Sequence, residues 1–316
     1  MITTFTLNAA IDKTYYISDF QTNQVNRVER VLVEPGGKGI NVSKVLHELK
    51  VPVITSGVVA GFNGQLICSL LEKQGLHHQF VQIDGESRLC LNIICKEKRI
   101  QTEILEPGPT IHSDEWPHIQ RKVAELSEKS KYVTFSGSLP RGLDKASYYD
   151  LILLAKQSGA HVVVDTSGEG LKKGIEAKPT VIKPNKEEFE QLVGRKLLTE
   201  SEIIRALQEC KQLEIPMIIV TLGAMGALAL IEETIYKVKS PAIEAVNPVG
   251  SGDAFTAGLT AGLEQGLNIE ETLRWGAAAG AANAMEEQAG HINLSLFMSL
   301  KDKVHIEVVP KAAFDC

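Results

Sequence analysis

From residue 131 onward, short runs of β-branched and aromatic residues alternate with longer stretches in which apolar residues recur every three or four positions. KYVTFSG gives way to KASYYDLILLAKQ; AHVVVDTSG follows, then TVIKPN with EEFEQLVG, then PMIIVTLG. Alternation marks a strand and a 3.6-residue period marks a helix, so this rhythm predicts βαβ units and a mainly parallel sheet with helices on both faces. The expected class is α/β, doubly wound. Each strand ends on small or polar residues: Ser136-Gly137, Asp165-Thr166, Lys183-Pro184-Asn185 and Leu222-Gly223. Ligands of such sheets bind outside the carboxyl ends of the strands, which puts these four turns on one candidate site edge.

Two segments break the rhythm. RLCLNIICKEKRIQTEILE, residues 88–106, reads as a β-hairpin turning at Lys96-Glu97-Lys98-Arg99, and residues 12–34 carry β-type runs without a helical period. Together they predict a small β lid over a single domain spanning 1–316. The chain has neither a fixed-period repeat nor a low-complexity linker, so the lid reads as an insertion rather than a tethered module.

Composition narrows the function classes. With 316 residues and 44% apolar content the chain can bury a sizeable core. A formal charge of −6 and a pI near 5.8 argue against a nucleic-acid or anionic-membrane partner, since both select basic surfaces. The five cysteines (Cys68, Cys90, Cys95, Cys210, Cys316) are scattered, without metal-ligand spacing, and read as reduced packing residues. The first residues, MITTFTLNAAIDKTYY, do not follow the pattern of a secretion signal, and a cytoplasmic protein is expected.

Two glycine-rich loops carry the chemistry. In EAVNPVGSGDAFTAG, Gly250-Ser251-Gly252 precede Asp253 at the start of a helical run. A helix N-terminus has unpaired N–H groups and a partial positive charge, and small residues let a ligand approach that backbone. The loop is thus suited to a phosphoryl group, with Asp253 beside it as general base for an attacking hydroxyl; the plainer reading is a turn with an acidic cap. EPGGKGINVSKVLHEL repeats the design with Gly36, Gly37, Lys38 and Gly39. It lacks the GxxxxGK[ST] spacing of a P-loop and the GxGxxG spacing of a dinucleotide site. Period two sets Arg88 and Asn92 on one face of a strand; with Lys38 and Arg27 they can surround a phosphorylated small molecule, although each arginine taken singly also reads as a solvated surface residue. Asn185 and Glu188 in KPNKEE are spaced to orient a metal with its waters or, equally, to form an ordinary helix cap.

With these residues assembled, the chain resembles the ribokinase-like carbohydrate kinases, in the phosphofructokinase B branch acting on phosphorylated ketohexoses. TLNAAID, GGKGINVSKVL, SGSLPRG, VIKPNKEE, TLGAMGA and VGSGDAFTAG carry the resemblance over nearly the whole length. QTEILEPGP and the VGSGD form are most similar to the tagatose-6-phosphate kinases, with bacterial 1-phosphofructokinases second and 6-phosphofructokinases third. The resemblance implies a ribokinase-like fold, ATP with Mg²⁺, and transfer to a ketohexose phosphate giving a 1,6-bisphosphate. It implies Asp253 as base, with Gly250, Ser251 and Gly252 as anion hole. Asp12, Gly36, Gly37, Lys38, Asn41, Arg27 and Arg88 fall on the sugar-phosphate site, and Ser138 near the reaction centre. Lys183, Asn185, Thr221, Gly223 and Gly226 fall on the nucleotide side, with Asn283 near adenine, and Asn185 and Glu188 are associated with magnesium. It further implies a homodimer through the lid. Many members carry Asp-Thr where this chain has Asn247-Pro248, a departure that speaks against potassium activation.

Three rival readings have their own tests. A kinase of an unphosphorylated sugar leaves Lys38, Arg27 and Arg88 unpaired beneath a closed lid. A non-catalytic sugar-phosphate sensor binds without forming ADP. A dinucleotide-dependent oxidoreductase binds NAD.

Overall fold

The computed structural model describes residues 1–95, 97–98 and 100–310. Lys96 and Arg99 of the hairpin turn and Cys316 lie outside the described residues. The chain opens with β1 (Ile2–Thr6), β2 (Ala10–Ile17), β3 (Arg30–Gly36), α1 (Lys38–Glu48), β4 (Val53–Ala60) and α2 (Gly61–Lys73). Next come β5 (His78–Ile83), β6 (Arg88–Cys95), β7 (Ile100–Leu105), α3 (Trp116–Glu128), β8 (Tyr132–Ser136), α4 (Ser147–Gln157), β9 (His161–Asp165) and α5 (Gly168–Gly174). They are followed by β10 (Val181–Ile182), α6 (Lys186–Val193), α7 (Glu200–Glu209), β11 (Met217–Thr221), β12 (Ala227–Ile231) and β13 (Thr234–Lys239). The last elements are α8 (Ser251–Glu264), α9 (Ile269–Ala284), α10 (Leu294–Lys301) and β14 (His305–Val308).

The expected doubly wound sheet is present. Ten strands run in the order β14-β13-β12-β11-β10-β9-β8-β1-β4-β5, parallel from β11 to β5 and antiparallel at the β12–β14 edge. Its central strands are apolar on both faces because both faces are covered. Along β9, Val163 enters one core with residues of α1, α8 and α9, while Val162 and Val164 enter the other with residues of α3, α4 and α7. Successive side chains of a strand point to opposite faces, so one strand feeds both cores.

The two segments that broke the rhythm form the second sheet, in the order β3-β2-β6-β7. Its middle pair, β2 with β6, is parallel from Ala10↔Arg88 to Ile17↔Cys95, and each flanking pair is antiparallel. Register decides which side chains face the large sheet: Asp12 is opposite Cys90 and Glu34, and Thr14 is opposite Asn92. Among the described residues no helix is long and apolar enough to cross a membrane.

Candidate active site

A cavity of about 960 Å³ lies between the strand ends of the large sheet and the facing side of the smaller one. Of the residues singled out in the sequence, Asp12, Gly37, Lys38, Asn41, Arg88, Lys183, Asn185, Glu188, Thr221, Gly223, Gly226, Gly250, Ser251, Gly252 and Asp253 line it. Residues far apart in the chain thus meet because α1 and α8 both point their N-termini at this edge.

Gly250 caps α8 with φ 82°, a left-handed conformation that favours glycine. Asp253, in the first turn, is buried, and one carboxylate oxygen accepts a hydrogen bond from Asn41 Nδ2 at 2.8 Å. Burial and the neighbouring Asp165 carboxylate push its pKa up to about 7, against the pull of Lys38, Asn41 and Lys183. A carboxylate poised near neutrality and aimed into a cavity is suited to take and return a proton.

Asp165 stands in one of the strand-end turns expected on the site edge, but sequence reasoning gave it no role. It is almost fully buried at the end of β9, where Lys183 Nζ lies 3.0 Å and Lys38 Nζ 3.2 Å from its two oxygens. Thr256 Oγ1 donates to it at 3.0 Å. Burial alone would raise its pKa, but the two ammonium groups and Thr256 hold it at about 2. Lys38 is correspondingly pushed above the usual lysine value, by Asp165 first and by Asp253 and Glu188 beyond it, against burial. The available signal was a charged residue closing a buried strand, VVVDT.

On the smaller sheet Asp12 is half-buried, and desolvation raises its pKa while Lys44, Arg88 and the Cys90 thiol act in the opposite direction. A methyl group on Gly36 would lie 2.1 Å from the Asp12 carboxylate and would have to displace it. Cys90 lines the cavity opposite Asp12 instead of merely packing, and burial pushes its thiol up to about 11. Cys68, Cys90, Cys95 and Cys210 are all free.

A second pocket of about 190 Å³ opens past Lys38 and Arg88, which line both. Thr6, Asn8, Ser136, Gly137, Ser138, Thr166 and Ser167 complete it. Thr6 Oγ1, Asn8 Oδ1 and Ser136 Oγ are buried here without a hydrogen-bond partner among the described residues. Tyr148 Oη and Thr166 Oγ1 each donate to Gly137 O at 2.8 Å and fix the turn that forms one wall.

Asn185 and Glu188 form a capping box on α6, each side chain accepting from the other's backbone N–H at 2.9 Å. The cap uses Glu188 Oε2; Oε1 lies 3.9 Å from Lys38 Nζ on the cavity side. A cap and a cation-facing oxygen therefore coexist in one side chain. Among the described residues no group of three or more His, Cys, Asp or Glu is arranged to hold a metal. That donor set fits a Mg²⁺ held by one carboxylate, waters and ligand phosphates, which is the usual arrangement for this ion with nucleotides.

Four expected site residues do not line the cavity: Gly36, which packs against Asp12, and Arg27, Ser138 and Asn283. Arg27 is exposed on the loop after β2. The eight-residue strand carries that loop roughly 20 Å from its cavity-side end, at about 3.3 Å per residue. Ser138 lines the smaller pocket and not the cavity around Asp253, since β8 ends there. Asn283 is fully buried and does not line the cavity. Its amide donates to Val249 O at 2.9 Å and accepts from Gly290 N at 2.8 Å, so it braces the loop ahead of α8. Asn247 braces the same loop, donating to Glu287 O at 2.9 Å and accepting from Val249 N at 3.0 Å.

The pfkB family carbohydrate kinase profile matches residues 6–295. A tagatose-6-phosphate kinase of Staphylococcus epidermidis is 40% identical over 309 residues, covering 97% of this chain and 99% of that protein. The chain belongs to the pfkB family of carbohydrate kinases. It is an ATP-dependent sugar kinase of the sugar-phosphate branch, and its fold is the ribokinase-like one of that family. Phosphofructokinase-2 of Escherichia coli, solved in complex with potassium, superposes with a TM-score of 0.91 at 26% identity, covering 96% of this chain and 98% of that one. The tetrameric inhibited form of the same phosphofructokinase-2 gives 0.89 at the same identity and coverage. A Thermotoga maritima structure described as a possible 1-phosphofructokinase gives 0.88 at 27% identity, covering 98% and 99% of the two chains.

Proposed function

We propose that this kinase transfers the γ-phosphoryl group of ATP to the free primary hydroxyl of a ketohexose phosphate, tagatose 6-phosphate or fructose 1-phosphate, giving a 1,6-bisphosphate. The observation that carries the reading is the small pocket beside the large cavity. Two cations, Arg88 and Lys38, border it, and the buried hydroxyls of Thr6 and Ser136, which can donate to an anion, lack partners. Unsatisfied buried polar groups are rare in folded proteins, so a set of them beside two cations suits an anionic ligand group. The acceptor's resident phosphate fits there, and the sugar then extends toward Asp12 and Asp253. The 40% identity to a tagatose-6-phosphate kinase supports the same acceptor class.

Asp253 takes the hydroxyl proton in this scheme, and its elevated pKa suits a group that must also release it. The N–H groups of Gly252 and its neighbours face the migrating phosphoryl group, with Lys183 beside them. Lys183, Asn185, Thr221, Gly223 and Gly226 form the nucleotide side of the cavity. Glu188 would hold Mg²⁺ together with waters, and the ion would supply charge neutralisation on the phosphates. The smaller sheet is the lid that excludes water from the transfer. Val31, Ile100 and Ile104 are exposed on that sheet, which supports a homodimer formed through the lid; light scattering of the purified protein tests it.

The deciding experiment is coupled ADP release with Mg·ATP, comparing kcat/KM for tagatose 6-phosphate, fructose 1-phosphate, fructose 6-phosphate and ribose. A preference of at least about a hundredfold for one of the first two is expected, the scale of two charge-assisted hydrogen bonds to the acceptor's phosphate. Equal rates on ribose would overturn the phosphate-pocket assignment.

A further inference from the structure

The lid root contains a charged cluster for which the catalytic scheme has no use. Glu34 on β3 receives Lys44 Nζ from α1 at 3.2 Å and Gln74 Nε2 from the end of α2 at 3.0 Å. Gln288 Nε2 donates to its other oxygen at 3.3 Å, and His291 Nε2 lies 3.6 Å away. Burial would raise the Glu34 pKa, yet the contacts with His291, Lys44 and Gln74 bring it to about 2, so it is ionised at every working pH.

Lys44 is buried, with 2% of its surface exposed, and a buried ammonium must have an anionic partner. Two carboxylates compete for it. Glu34 and Asp12 are directly opposite in the β2–β3 ladder, and opposed side chains leave the same face with Cβ atoms about 5 Å apart. Of the charges favouring the ionised form of Asp12, Lys44 is the strongest, ahead of Arg88. The hydrogen bond in this structure is nevertheless to Glu34, whose three donors, Lys44, Gln74 and Gln288, fix its position, with His291 nearby.

We propose that Glu34 is a positioning residue of the acceptor site: by holding the Lys44 ammonium it leaves the Asp12 carboxylate open to the acceptor's hydroxyl groups. This rests on the reading that Asp12 binds the acceptor. Glu34→Gln keeps the shape but removes the charge, and Lys44 then turns to Asp12. The acceptor KM rises about tenfold, the scale of one charge-assisted hydrogen bond, while kcat and the KM for ATP stay within about twofold.

The double variant Glu34→Gln/Lys44→Met separates this from a merely structural role. With the displaced cation gone, the acceptor KM returns to within about threefold of the parent. Lys44→Met alone leaves the acceptor KM unchanged or lowers it, and this variant carries the test if Glu34→Gln does not fold. A raised KM that persists in the double variant overturns the proposal, as does a Lys44→Met variant as impaired as Glu34→Gln. Asp12→Ala is the control on the premise. If it leaves the acceptor KM unchanged, Asp12 does not bind the acceptor and the inference falls with it. If it raises KM while Glu34→Gln does not, only the role of Glu34 is refuted.

Discussion

α1 and α8 both start from glycine loops, capped by Gly37 at φ 108° and Gly250 at φ 82°, and neither has a side-chain cap. At α1 the neighbouring glycine is packed against protein. A methyl on Gly36 would meet the Asp12 carboxylate at 2.1 Å. At α8 a methyl on Gly252 would meet only Lys183 Nζ, at an ordinary 3.5 Å, beside the open cavity. The first turn of α8 carries the acid, Asp253, whereas that of α1 carries none and begins with Lys38. Similar sequence motifs thus answer different demands: one glycine lets the protein approach itself, the other lets a ligand approach the protein.

The comparison is tested most severely at the acid. Asp253→Asn is expected to lower kcat by about 10²–10⁴-fold, the usual contribution of a general base, with ATP affinity unchanged in a binding titration. Substantial residual turnover would leave α8 with a ligand-holding role only. At α1, Gly36→Ala is expected to displace Asp12, raising the acceptor KM and costing about 1–3 kcal/mol in denaturant unfolding, as overpacking does.

The pH profile sharpens the same contrast. A base that works ionised, with a pKa near 7, gives a kcat/KM that rises through neutrality and levels above it. Asp165→Asn removes the neighbouring negative charge and frees two ammonium groups, both of which favour the ionised form of Asp253. The acidic limb should therefore move to lower pH; a limb that stays in place would assign it to another group. The smallest effect is expected from Gly252→Ala, within about 1 kcal/mol of the parent in stability, because alanine also favours the helix. Its KM for ATP should rise as the methyl meets the phosphates. Destabilisation equal to that of Gly36→Ala would erase the difference between the loops.

The fold was legible where the pattern was local. β8, β9 and β11 announce themselves by β-branched runs, and the hairpin of β6 and β7 by its alternation. The glycine loops and Asp253 were legible for the same reason, since a helix start is written within a few residues. The roles of Asp165, Cys90, Lys44 and Glu34 were not, because a buried charge is explained by partners remote in sequence: Thr256 is 91 residues from Asp165. Arg27 lies farther from the cavity than expected because strand length, which no single residue signals, sets how far a loop lies from the site. Asn283 sits among small residues of α9 and gave no hint that its amide spans the bend before α8.

The parallel ladder between β2 and β6 ties two excursions of the chain into one plate. Asp12 belongs to the first excursion and Arg88 to the second, and eight consecutive register pairs from Ala10↔Arg88 to Ile17↔Cys95 forbid one from sliding without the other. In the proposed reaction a sugar hydroxyl at one strand and a phosphate at the other would act on a single body. Its closure would be one event with one relaxation time, and an acceptor that engages only half of the plate would still have to move all of it.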